Sequence, residues 1–114
     1  MSLERQWIFR IFHTLDAIGK IQRYTAGMSF EHFCADDRTV DAVIRNFLVI
    51  GEATRHVPSN VRQESPDIPW HLMEGMRHVL VHDYETVRFD ILWKTVVEDL
   101  PPLVEGLRRL ANEA

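Results

Sequence analysis

Apolar residues recur along this chain at intervals of three and four, the period of an α-helix, and no stretch alternates one-in-two as a half-buried strand would. Over residues 3–24, Trp7, Ile8, Ile11, Phe12, Leu15, Ile18 and Ile21 fall on one side of a helix of roughly six turns, with Glu4, Arg10, Asp16 and Lys20 on the other. Gly27 supplies a stop, and 28–36 reads as a connector whose Phe30 and Phe33 tuck onto the core. A second helix begins at Asp36 or Asp37, either of which can accept a hydrogen bond from the first-turn amides, and runs to Val57, where Pro58 ends it. Val40, Val43, Ile44, Phe47 and Leu48 form its buried stripe. Gly51 in that stripe marks a place where a neighbouring helix comes close.

Residues 58–68 are a polar connector holding two prolines. A third helix then spans 68–84, with Pro69 in its tolerant first turn and Trp70, Met73, Met76 and Leu80 as its apolar set. After a short break, 87–98 carries Phe89, Ile91, Leu92, Trp93, Val96 and Val97, a face wide enough that part of it is expected to meet a second copy of the chain. Asp99 is expected to cap a last helix, with Pro101 and Pro102 in its first turn and Leu103, Leu107 and Leu110 facing inward. The expectation is an all-α bundle of four to five helices, one domain over 1–114.

Composition narrows the class. At 114 residues, with 46% hydrophobic and 26% charged positions, the chain can bury a core without disulfides or a structural metal. The net charge of −4 excludes a surface that is basic throughout, so a nucleic acid would have to meet a local positive patch. Cys34 is the one cysteine and cannot build a disulfide within the chain or a multi-cysteine metal site. The amino end has no uninterrupted apolar core of the kind a secretion signal needs, and no run is long enough to span a membrane, so a cytoplasmic location is the default expectation.

Chemistry-bearing side chains concentrate in 68–84, which reads IPWHLMEGMRHVLVHDY and contains His71, His78 and His82 of the six histidines. An imidazole can take up or return a proton near neutral pH, and a guanidinium can hold two phosphate oxygens, so Arg77 with His82 suits transfer at phosphorus. On a regular helix these two point about 140° apart and lie about 7.5 Å apart along the axis. Gripping one phosphate therefore needs an unwound helix end or a second subunit, and two-fold symmetry would double both residues at one groove. Tyr84 is either an aromatic lid or a hydroxyl held among cations. Asp83 can orient an imidazole or join His78 and His82 around a metal, although the glutamate of the zinc-protease motif is missing. Arg45, Glu52 and His56 fall nearly in line on another stripe, with Arg55 adding positive potential beside them. Solvated or structural roles remain open for each of these residues on spacing alone.

The segments IQRYTAGMSFEHF (21–33), TVDAVIRNFLVIGEA (39–53), IPWHLMEGMRHVLVHDY (68–84) and ILWKTVVEDLPPL (91–103) stand in an order that resembles the HepT-like toxins of the HEPN class of helical domains. The family signature is an arginine, four to six residues, a histidine and then a tyrosine one residue further on; here these are Arg77, His82 and Tyr84. The resemblance implies a HEPN-like helical homodimer that cleaves RNA through attack by a ribose 2′ hydroxyl, with no metal and no cofactor. It implies a type VII toxin–antitoxin system in which the partner, a minimal nucleotidyltransferase antitoxin, transfers AMP to the tyrosine. On this resemblance Arg77 and His82 are catalytic, Tyr84 is the AMPylation site, and His78, Asp83, Glu52 and Arg45 are supporting. Many members carry asparagine where this chain has His78, a side chain that can also donate a hydrogen bond or act as a base. The alternative is a non-catalytic helical module that binds a nucleotide or the nucleotidyltransferase.

Overall fold

The structure, a computed structural model, describes residues 6–78 and 87–113. Helices α1 (Trp7–Thr25), α2 (Phe30–Ala35), α3 (Asp37–Arg55), α4 (Ser59–Glu64), α5 (Trp70–Gly75), α6 (Phe89–Lys94) and α7 (Leu100–Glu113) follow in order, with a π turn, Thr95–Asp99, joining α6 to α7. The described residues contain no strand, and the fold is all-α as the periodicity predicts. Among them no helix is long and apolar enough to cross a membrane.

The two long helices α1 and α3 lie against each other and carry most of the core. Ile11, Ile18 and Ile21 of α1 meet Val43, Phe47 and Ile50 of α3, while α7 adds Leu100 and Leu107 and α5 adds Met73. Fully burying a side chain of this size stabilises by about 1.5–3 kcal/mol relative to leaving it in water, and the α1–α3 seam concentrates that gain. The α5 helix packs on α3, which brings the Arg77 end of the molecule beside the carboxyl end of α3.

The buried arc of α1 is Ile8, Ile11, Thr14, Ala17, Ile18, Ile21 and Thr25, and Phe12, expected inside, is half exposed together with Phe9. The arc swings toward threonine because the Thr14 hydroxyl donates to the Arg10 carbonyl at 2.9 Å and so can be buried without an orphaned group. Thr25, Thr54 and Thr95 use the same bond one turn back, to Ile21, Ile50 and Ile91. Leu48 likewise sits at the edge of the core rather than within it.

Both connectors contain short helices. Gly27 turns the chain with φ of 76°, a conformation open to glycine, and Ser29 then caps α2 by accepting from the His32 amide at 3.1 Å. Phe33 of α2 is fully buried, with its ring 5.0 Å from that of Trp93 and 6.4 Å, edge-on, from Phe89; Phe30, also expected on the core, is 39% exposed. Asp36 is the cap of α3, its carboxylate accepting from the Thr39 amide at 3.1 Å, and that bond holds its carboxyl below the usual aspartate value.

Asp99 does not start a separate helix. The backbone stays helical through Lys94, Thr95 and Leu100, and the Leu100 amide reaches back five residues to the Thr95 carbonyl. Pro101 and Pro102 lack amide hydrogens, and their rings crowd the carbonyls four residues earlier. The wider π turn just upstream relieves that crowding, so one continuous helical rod replaces the expected break. Along this rod Leu92 and Val96 are buried, whereas Ile91 and Val97 are half exposed.

Candidate functional site at the junction of the third and fifth helices

Arg77 follows α5 in a tight turn rather than inside a long helix. The Met76 amide bonds to the Met73 carbonyl at 3.2 Å and the Arg77 amide to the Glu74 carbonyl at 3.3 Å, both three residues back. The angular arithmetic for an unbroken helix over 68–84 therefore fails at Met76 and Arg77, and the chain narrows where the candidate catalytic arginine stands.

Beneath this turn runs α3, and Gly51 is the point of closest approach. A methyl group built on Gly51 would stand 2.6 Å from Arg77 Cβ and 2.7 Å from its amide nitrogen, so only a hydrogen fits there. The next residue, Glu52, meets the arginine itself, with Oε2 at 3.5 Å from Arg77 Nε. The same carboxylate lies 3.3 Å from an Arg55 terminal nitrogen and 3.5 Å from His56 Nε2. Partial desolvation pushes the Glu52 carboxyl up, but the Arg55 charge, the His56 hydrogen bond and the Arg77 charge together hold it below the ordinary glutamate value. Glu52 is thus an anion at neutral pH, with three basic side chains arranged around it.

A residue that spacing does not single out locks this arrangement. Arg62 of α4 donates to the Thr54 carbonyl at 2.6 Å, to the Val57 carbonyl at 3.1 Å and to Glu74 at 3.1 Å. Its guanidinium also lies 5.9 Å from the centre of the Trp70 ring, and the Trp70 indole donates to the Ser65 carbonyl at 3.0 Å. One side chain therefore satisfies carbonyls at the carboxyl end of α3 and pins α5 to it.

The result is a surface cleft of about 290 Å³ lined by Arg55, His71, Glu74, Gly75, Arg77 and His78. Of the residues singled out from sequence, Arg77 and Glu52 are in contact and His78 stands at the same cleft. Arg45 is exposed two turns earlier on α3, and the ion pairs of Glu52 among the described residues are with Arg55, His56 and Arg77. His82, Asp83 and Tyr84 lie outside the described residues, and so does the metal alternative that drew on the first two. Among the described residues no group of three His, Cys, Asp or Glu side chains is placed to hold a metal ion.

A family model described as ribonuclease HepT-like matches residues 14–110. The chain is 43% identical over 95 residues, 83% of its length and 86% of the relative's, to a protein of Thermococcus cleftensis that carries the name probable ribonuclease HepT. It is 33% identical over 87 residues to a protein of Caldanaerobacter subterraneus named as a candidate RNase, covering 76% of this chain and 78% of the relative. A Methanocaldococcus jannaschii protein with the same kind of name is 31% identical over 93 residues, covering 82% and 85% of the two chains. No solved structure matches the chain at a comparable level. The matched span takes in the core helices together with Gly51, Glu52 and Arg77, and the chain belongs to the HepT-like family.

Proposed function

We propose that this chain is a metal-independent endoribonuclease, the toxin of a toxin–antitoxin pair, with Arg77 and His82 as its catalytic residues. The observation that carries the reading is Arg77 held by Glu52 at the rim of a basic cleft, in a chain of the HepT-like family. The names of the relatives support RNA as the substrate.

In the proposed reaction His82 takes the proton from a ribose 2′ hydroxyl as that oxygen bonds to the adjacent phosphorus. The bond from phosphorus to the 5′ oxygen breaks, the leaving oxygen takes a proton from water, and the products are a 2′,3′-cyclic phosphate and a 5′ hydroxyl. Arg77 faces the charge that grows on the non-bridging oxygens. A homodimer brings two copies of both residues to one groove. AMP transferred to Tyr84 by a nucleotidyltransferase antitoxin places a bulky anion where it competes for Arg77, which turns the enzyme off.

The test is cleavage of RNA by unmodified protein in chelator, beside Arg77→Ala and His82→Ala. Cyclic-phosphate ends made by the wild type and lost in both variants support the reading. A folded, dimeric protein that binds RNA or nucleotide without cutting would replace it with a non-catalytic binding module.

A further inference from the structure

The cleft beside Arg77 gathers more basic side chains and N–H donors than one scissile phosphate engages. Arg55 and Arg77 bring two guanidiniums, and His71 and His78 bring two imidazoles. Of the nearby carboxylates, Glu74 is paired with Arg62 at 3.1 Å, outside this set, and Glu52 is shared by Arg55, His56 and Arg77. In a chain of net charge −4, this is the local reversal of sign that an anionic polymer requires.

Arg55 closes α3 and Arg77 follows α5, yet both are tied to the same carboxylate, at 3.3 Å and 3.5 Å. Both contacts are to the same oxygen, Oε2, so the two contacting nitrogens lie no more than about 7 Å apart, close enough for the guanidiniums to face neighbouring phosphates of one strand. Contact with Glu52 engages one terminal nitrogen of Arg55, and a guanidinium carries five N–H donors, so the pairing orients Arg55 without exhausting it. His71 is exposed on the first turn of α5 and lines the same cleft, where an imidazole N–H can donate to a phosphate oxygen in either protonation state.

We infer that Arg55 and His71 form a subsite for a phosphate of the RNA strand next to the scissile one, a subsite that supplies affinity and register and no bond-making chemistry. The inference rests on the ribonuclease reading for its ligand, and its test is binding rather than cutting.

The probe is a mixed-sequence 2′-O-methyl RNA dodecamer, which has no 2′ hydroxyl to attack, titrated by fluorescence anisotropy at several salt concentrations. Arg55→Gln weakens binding, and the slope of log affinity against log salt becomes shallower by about 0.7 for one lost phosphate contact on a single strand. Arg55→Lys, which keeps the charge, recovers most of that slope, and His71→Gln weakens binding with a smaller change in slope. On cleavable RNA the Arg55→Gln loss falls on KM more than on kcat, and it is several-fold smaller on a dinucleotide with a single phosphodiester.

Wild-type affinity and slope in Arg55→Gln would overturn the subsite, as would an equal loss on dinucleotide and long RNA. Failure of the wild type to bind the dodecamer would also overturn it. Wild-type protein that binds the dodecamer but leaves unmodified RNA uncut removes the ribonuclease reading alone, and the salt slope still decides the subsite.

Discussion

Gly51→Ala tests whether the contact between α3 and the Arg77 turn is as close as the structure has it. The added carbon would stand 2.6 Å from Arg77 Cβ and 2.7 Å from its amide nitrogen, against about 3.5–4.0 Å for an unstrained carbon–carbon contact. The turn must therefore retreat by about 1 Å, and because the obstructing atoms belong to backbone and Cβ, no rotamer change relieves the clash. The elements on either side resist: Met73 and Met76 are buried in the core, and Arg62 holds Glu74 and the end of α3. Overpacking of this kind costs about 1–3 kcal/mol, while replacing glycine by alanine inside a helix returns about 1 kcal/mol. The net destabilisation is about 0–2 kcal/mol, a fall in Tm of at most about 10 °C for a domain of this size.

Activity is expected to fall much further, because misplacing a transition-state group by about 1 Å can cost about 100-fold in rate. The assay pairs thermal unfolding by circular dichroism with single-turnover RNA cleavage at saturating enzyme, so that a modest change in stability is separated from a large change in chemistry. A variant that is more stable than wild type by the full helix-propensity gain, and that cleaves at the wild-type rate, would show that the close approach does not exist. A variant whose lost activity merely tracks its unfolded fraction would refute the positional argument.

Arg62→Ala removes bonds to two carbonyls and a carboxylate and should destabilise by about 2–4 kcal/mol, read from urea unfolding; a loss below about 1 kcal/mol would mean that water replaces the latch. Glu52→Gln keeps the shape but leaves Arg55 and Arg77 without their shared anion. The expected outcome is a lower kcat with KM unchanged or lower, since a negative charge beside RNA is gone; a wild-type kcat would remove Glu52 from the positioning of Arg77. Asp36 has a carboxyl held below its unfolded value of about 3.8, so its contribution to stability is present above that value and is lost as pH falls through the lower folded one. Asp36→Asn, which can still cap α3, should flatten the dependence of Tm on pH below about pH 4, and an unchanged acid limb would assign that limb to other carboxylates.

What could be read in advance and what could not divide along a physical line. The long helices were legible because a buried arc repeats with the helical period, and the α3 cap was legible to within one residue, Asp36 or Asp37, because a short carboxylate before an apolar run satisfies first-turn amides within three residues. Gly51 was legible too, since a glycine in a buried helical stripe loses side-chain packing that only a close neighbour makes good, although nothing local names Arg77 as that neighbour. The Arg62 latch left no local trace: its acceptors at Thr54, Val57 and Glu74 share no spacing with it and come together only when α4 and α5 fold back on α3. The π turn was hidden for a different reason. Two adjacent prolines obey a local rule that breaks helices, and the relief comes from the turn that precedes them. Phe12 misled because periodicity counts apolar residues, whereas the buried arc accepted Thr14, whose hydroxyl is satisfied within its own helix. The site follows the same division. Its residue types were visible as single side chains, but the charge that matters is collective: Glu52 joins Arg55 and Arg77 across a gap of more than twenty residues, and only that juxtaposition turns an acidic chain into one with a basic cleft.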